Sequence, residues 1–346
     1  MAPARWHNRL MRVHQCCRVG LLLAVALLTV AACTAAPPDR HTQVDHLTQQ
    51  LRGMPGVVAA GNTFGDNEAQ GPAFFEVDVN VVDDVTGDQI AAVTAAYLDN
   101  LRAEDYTGYR AGLTVRRAGN VFVVDSGPRP VNNRVQILSQ ARSWVALRQQ
   151  FAGSTVTLRA AISHAGDAPG RPPATSGSVQ LPDATDYTGV AAAVGTLASR
   201  FGDLTGGDWT ISAGNQRPAE IRTSRRLPTP QEMDVWTALN ADQSIPHAVV
   251  FTINGAVTGP FWASEKIPTH DQDMAVRLAE QHLPIVARLP APVLYSATDQ
   301  FQGHIGFHGQ ATGPVTILIG GCMKRDYRPS AAEQALIDEY EHCRQR

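Results

Sequence analysis

The order helix, strand, strand, helix, strand, strand is written three times along this chain, and no other feature limits its fold as much. The first copy (residues 42–130) has a short helix ending near Arg52 and strands Val57 to Phe64 and Phe74 to Val82. A helix from Gln89 to Arg102 and strands Ala111 to Arg116 and Val121 to Asp125 follow. The second (131–230) has a helix Val135 to Phe151, strands Thr155 to His164 and Ser178 to Leu181, a helix Gly189 to Phe201, and strands Trp209 to Ala213 and Glu220 to Thr223. The third (231–328) has a helix Gln231 to Leu239, strands Ala248 to Asn254 and Ala256 to Ala263, a helix Asp271 to Leu289, and strands near Leu294 and Ile305. Gly127-Pro128-Arg129-Pro130 and Leu227-Pro228-Thr229-Pro230 read as the breaks between copies. A C-terminal helix (329–346) closes the chain, with Leu336, Ile337 and Tyr340 on one face.

Residue-level echoes support the repetition. Thr86-Gly87-Asp88-Gln89 and Thr269-His270-Asp271-Gln272 both have the spacing of a capping box, in which threonine accepts from the third helical amide and glutamine reaches back. Thr185 takes the cap place in the second copy. Ile90, Val93, Tyr97 and Leu101 form one apolar stripe, and Val190, Val194, Leu197 and Phe201 form another. Phe75, Val77, Val79 and Val81 alternate as in a strand with one buried face.

The pattern predicts an α+β fold of repeated α-β-β-α-β-β modules, with helices packed on one face of antiparallel sheets. The split βαβ, ferredoxin-like arrangement or a permutation of it is the expected topology. Asn254-Gly255 is the strongest signal for a tight hairpin. The corresponding loops at 65–72 and 165–177 are longer, and loops of this kind are where binding groups often sit.

The N-terminus carries a different message. Arg5, Arg9, Arg12 and Arg18 form a basic leader, and Gly20 to Val30 is an uncharged run too short to span a bilayer. It ends in Val30-Ala31-Ala32-Cys33, which resembles the lipobox of bacterial lipoproteins, with valine in the leucine place. The scarcity of lysine, confined to Lys266 and Lys324, beside abundant arginine, alanine and glycine suggests an actinobacterial type. The resemblance implies that residues 1–32 are a signal peptide and that Cys33 carries diacylglycerol. Residues 33–41 are then a tether, and its seven residues from Thr34 to Arg40 reach no more than roughly 25 Å. Similar letters ending at Cys322 lack a leader and read as a strand, Val315 to Ile319, with a glycine turn.

Without residues 1–32 the chain keeps 29 − 4 = 25 basic and 32 acidic side chains, a formal charge of −7. That balance argues against nucleic acid as a partner. Cys16 and Cys17 would leave with the leader and Cys33 would be lipidated, so Cys322 and Cys343 remain as a disulfide pair outside the cytosol.

Catalytic signatures are scarce. Gly-x-Ser-x-Gly, the phosphate-loop pattern and Gly-x-Gly-x-x-Gly after a first strand do not occur. Ser126 after a strand reads as a turn residue. His270, His304 and His308 are the weak candidates for metal binding. His270 lies in a helix cap, and His304 and His308 in a strand stand about 13 Å apart. Arg217, Arg222, Arg225 and Arg226 form a basic knot that reads as a solvated face or a contact for anionic headgroups. Trp144, Trp209, Trp236 and Trp262 read as core residues.

The expectation is an extracytoplasmic lipoprotein, held at the cell membrane by its N-terminal lipid, without a cofactor. It would bind an unknown envelope protein or small ligand rather than catalyse. The alternatives are a cell-envelope hydrolase or transferase with dispersed catalytic residues, or a carrier of lipid or another apolar ligand.

Overall fold

The computed structural model describes residues 38–65, 73–127, 129–164, 167, 173–255, 259–300 and 313–343. The leader, Cys33, most of the tether, the expected strand near Ile305, His304 and His308 lie outside the described residues. In chain order the elements are α1 (His41–Arg52), β1 (Val57–Gly65), β2 (Phe74–Val81), α2 (Gly87–Ala103), β3 (Arg110–Arg117) and β4 (Asn120–Gly127). Then come α3 (Arg134–Gln150), β5 (Thr155–Arg159), β6 (Ser176–Gln180), α4 (Tyr187–Arg200), β7 (Asp208–Ser212), β8 (Ala219–Thr223) and α5 (Pro230–Ala241). The chain ends with β9 (Ala248–Ile253), β10 (Phe261–Lys266), α6 (Gln272–Val286), β11 (Val293–Thr298), β12 (Val315–Ile319) and α7 (Ala331–Tyr340). None of these helices is long and apolar enough to cross a membrane.

The fold is α+β, and its element order is the repeated one. All twelve strands join a single sheet in sequence order. Each hairpin is antiparallel, and each helical crossover joins neighbouring parallel strands, as in β2·β3 and β6·β7. The sheet is therefore mixed, and no strand is inserted into a βαβ unit as the split arrangement would require. Nor do the three copies close into separate cores. Parallel pairs β4·β5 and β8·β9 carry the sheet across both expected breaks, and one apolar cluster runs from Val44 to Ile337.

Register explains the common core. Val156, Val179, Ile211, Ile221, Phe251, Ala263, Tyr295 and Ile317 are paired strand to strand across β5 to β12, and all are buried. Their face receives the helices. Trp144 of α3 lies over Phe122, the Tyr97 hydroxyl of α2 meets Ser126, and His282 of α6 meets Glu265. Successive crossovers start from strands that point in opposite directions, yet their helices return to one face. Their handedness must therefore alternate, against the strong right-handed preference of such units. Ferredoxin-like splitting would have kept every crossover right-handed.

Local chemistry sets the boundaries. Thr86 and Gln89 form the expected capping box. The second expected box does not form: α6 starts later, with Asp271 as the cap accepting from the Met274 amide, and Gln272 reaches the Pro314 carbonyl instead. Asp186 rather than Thr185 caps α4, accepting from the Thr188 and Gly189 amides. Thr229-Pro230-Gln231-Glu232, read above as part of a break, is itself a capping box with proline at the first turn.

Asn254 takes the left-handed conformation its type favours (φ 59°), but it does not close a two-residue turn. Ile253 pairs with Phe261, so the loop spans 254–260. A tight turn would have set Pro260 inside β10, where it has no N–H to give the ladder. A two-residue hairpin is instead found at Ala118-Gly119, between paired Arg117 and Asn120, with Ala118 at φ 49°.

The C-terminal segment covers β12, an edge of the sheet. Glu341 accepts from the Leu318 amide and Arg325 donates to the Thr316 carbonyl, so outward backbone groups of the edge are paired with side chains. Cys322 and Cys343 are bonded and lock residues 318–323 against 340–343, where Gly320 N–H donates to the Tyr340 carbonyl. Closing this span of 21 residues stabilises the fold by roughly 3 kcal/mol in the chain-entropy model.

Glu333 in α7 is buried beneath the Tyr327 hydroxyl, and burial pushes its carboxyl up, more than its hydrogen bond with Tyr327 and the Arg325 charge pull it down. The folded state thus holds this proton more tightly than the unfolded chain does. Its contribution to stability is complete below the unfolded value near 4.5 and is lost as pH rises through the folded value. Glu333→Gln should flatten that part of the profile of melting temperature against pH, and an unchanged profile would contradict the assignment.

Candidate functional site

The face of the sheet away from the helices divides in two. One row across it reads Asn80, Arg116, Val121, Thr157, Ser178, Thr210, Arg222, Thr252, Trp262, Leu294 and Leu318. From β10 onward the row is apolar and covered: Leu294 and Leu318 pack with Met323, Trp262 and Tyr327 in a second small cluster, beside buried Ser264, Ser296 and Thr316 on the same face. Over β2 to β8 the side chains of this row are half-buried or exposed. The alternation that puts valines under the helices puts charged and hydroxyl side chains here.

A groove of about 620 Å³ crosses this polar part over β2 to β5. Arg116 donates to Asp78 at 3.0 Å, and the Thr114 hydroxyl donates to Glu76 at 2.7 Å. Asp125 stands between Arg110 and Arg159 at 3.6 Å from each. The arginine–aspartate pairs are exposed, and pairs of this kind contribute little to stability. They are weakly held donors and acceptors on a rigid frame, suited to recognition of a polar surface. A second cleft, about 420 Å³, lies at the C-terminal end of α2 and is lined by Leu98, Arg102, Tyr106, Arg129 and Arg134 among others.

The other concentration of chemistry is inside. Glu265 of β10 receives hydrogen bonds from His282 Nδ1 at 2.7 Å and from the Tyr295 hydroxyl. His247 Nε2 is 3.8 Å from the same carboxylate, and Asp242 Oδ2 is 3.6 Å from His282 Nε2. The side chains of His247, Glu265 and His282 are fully buried. Burial pulls the His282 imidazolium down, but the hydrogen bond and charge of Glu265, with the charge of Asp242, outweigh it, and the net shift is upward. Burial first, and Glu265 second, push the Tyr295 phenol well above its usual range.

Sequence reasoning passed over this cluster because its members are distant in the chain. A signal was present: Glu265 occupies an apolar place in the alternation Phe261, Ala263, Glu265, and His282 continues the apolar stripe Ala275, Leu278, Ala279. A polar residue at such a place must find a buried partner.

The candidates named from the sequence fall elsewhere. His270 is on the surface, 3.2 Å from Asp299, and belongs to no three-ligand group among the described residues. The arginine knot is largely matched by acids: Arg226 makes a two-pronged pair with Glu232, and Arg222 and Arg217 meet Glu220. Ser126 is buried, donating to the Ala111 carbonyl, and has no catalytic setting. Trp144, Trp209 and Trp236 are buried in the main core, and Trp262 is half-buried in the second cluster.

Comparison with known proteins found no matching family, no matching curated protein and no matching solved structure.

Proposed function

We propose that this chain is a lipid-anchored protein of the outer face of the cell membrane, and that it binds a partner protein or small ligand without chemistry through the polar sheet face of β2 to β8. The location is supported by the lipobox resemblance at Cys33 behind a basic leader. The binding role is carried by one observation: an open polar sheet surface with a groove lies opposite the helical layer over β2 to β8, while at β10 to β12 the same surface is closed over, with Leu294, Leu318 and Met323 clustered and Ser264, Ser296 and Thr316 buried. The reading of a hydrolase or transferase needs an acid–base pair or nucleophile open to substrate. His247, Glu265 and His282 have the right residue types but are sealed in the core.

The anchor is tested by metabolic labelling with palmitate in the native type of host. The wild-type chain should label and fractionate with membranes, and Cys33→Ser should do neither while keeping its fold. A Cys33→Ser chain that still labels and stays with membranes would refute the anchor.

A further inference from the structure

We propose that His247, Glu265 and His282 form a structural zinc site that fastens α6 and the turn after α5 to the sheet. Their donor atoms all lie within 4.8 Å of one another, and all three side chains are sealed from solvent. Glu265 Oε1 is 2.7 Å from His282 Nδ1 and 3.8 Å from His247 Nε2. These separations bracket the edge of about 3.3 Å that a tetrahedron with zinc–ligand bonds of 2.0–2.1 Å would have. The widest separation in the group, up to 4.8 Å, would close by as much as about 1.5 Å, a movement shared between the two imidazoles, to reach the same edge.

The surroundings orient each donor as metal ligands are oriented. His247 Nδ1 lies 2.7 Å from the Ile245 carbonyl, to which it donates, leaving Nε2 to face Glu265. Glu265 Oε2 is held by the Tyr295 hydroxyl, which leaves Oε1 for a cation. His282 Nε2 is a buried ring nitrogen without a hydrogen bond, and it points toward Asp242 at 3.6 Å. Coordination through Nδ1 would fix the proton on that Nε2 and make a carboxylate, imidazole and metal relay.

A second observation points the same way. His247 Nε2 is also 3.0 Å from the Leu239 carbonyl oxygen, so both ring nitrogens face oxygens that can only accept. A neutral ring has one N–H and cannot serve both. A cation at Nε2, a second proton or a metal ion, removes the conflict, and for a metal ion the Leu239 carbonyl lies where it could complete the coordination. Two imidazoles and one carboxylate suit zinc better than magnesium or calcium. With the donors buried, the role is structural, and binding displaces the proton shared by Glu265 and His282 to solvent.

The test is metal analysis and thermal unfolding of the purified full-length protein. We expect one zinc per chain, a lower melting temperature after chelation, recovery with one equivalent of Zn²⁺, and the visible bands of tetrahedral Co²⁺ on substitution. Glu265→Gln keeps size and an acceptor for Tyr295 but should bind at least about 100-fold more weakly, and Tyr295→Phe, a milder change, about 10- to 100-fold more weakly. A wild-type protein that keeps no zinc and whose melting is unmoved by Zn²⁺ would overturn the assignment. So would a well-folded Glu265→Gln or Tyr295→Phe protein that binds zinc as tightly as wild type.

Discussion

Glu341→Ala should destabilise the protein by about 3–5 kcal/mol, the range for removing one partner of a buried ion pair. Glu341 Oε1 and Oε2 receive both terminal nitrogens of Arg325, and the same oxygens accept from the backbone amides of Leu318 and Met323. The side chains are 9% and 1% exposed for Arg325 and Glu341, so truncation leaves a guanidinium and two amides with no solvent to replace the carboxylate. Arg325 would also lose what holds it against the Thr316 carbonyl, and the outer edge of β12 would open. Urea unfolding should show the loss with the Cys322–Cys343 bond intact, because the bond restrains the ends of this segment and supplies no acceptor. A change below about 1 kcal/mol would mean that the pair is solvated and the edge is covered by something else.

Trp209→Ala should cost a similar amount, about 3–5 kcal/mol, and should be coupled to Gly177. Trp209 is 2% exposed, and its indole N–H donates to the Leu204 carbonyl. Gly177 pairs with it across β6·β7, and a Cβ built on Gly177 would come within 2.4 Å of the indole ring. The indole lies over the glycine and fills the place of the missing side chain, which is why an otherwise weakening strand glycine is tolerated. Truncating Trp209 opens a void beside a residue that has nothing to fill it. Gly177→Ala alone should cost about 1–3 kcal/mol by forcing the ring aside. Combined with Trp209→Ala, the added methyl should cost nothing or restore part of the loss. Strict additivity in that double-mutant cycle would contradict the packing described.

These two sites differ in how far the sequence revealed them. The element order was legible because Ile90, Val93 and Tyr97 recur at helical spacing and Phe75, Val77 and Val79 alternate, and both patterns report burial directly. Thr86 and Gln89 revealed the start of α2 for the same local reason. Thr269, Asp271 and Gln272 repeat the letters Thr86, Asp88 and Gln89, yet threonine is the cap in one and aspartate in the other, and spacing alone does not rank them. Strand order was not legible. A hairpin followed by a helix has the same periodicity whether the next strand is inserted or added, and only the cross-strand pairs, such as Val123 with Arg159, decide between them. Glu265 and His282 meet through β10 and α6, elements that the sequence places but does not dock. Cys322 and Cys343 were legible as a pair because export and lipidation of Cys33, once inferred from the leader, leave two cysteines.

The polar sheet face is the proposed working surface of a membrane-held protein. The direct measurement is site-specific photo-crosslinking in intact cells, with the probe placed singly at Thr157, Ser178 and Thr210 on that face and at Gln149, Thr196 and Asp234 on the helical layer. One adduct of the same mass from the three neighbouring sheet positions, absent from the helix positions, is the predicted result. Adducts from the helical layer alone, with none from the sheet face, would contradict it.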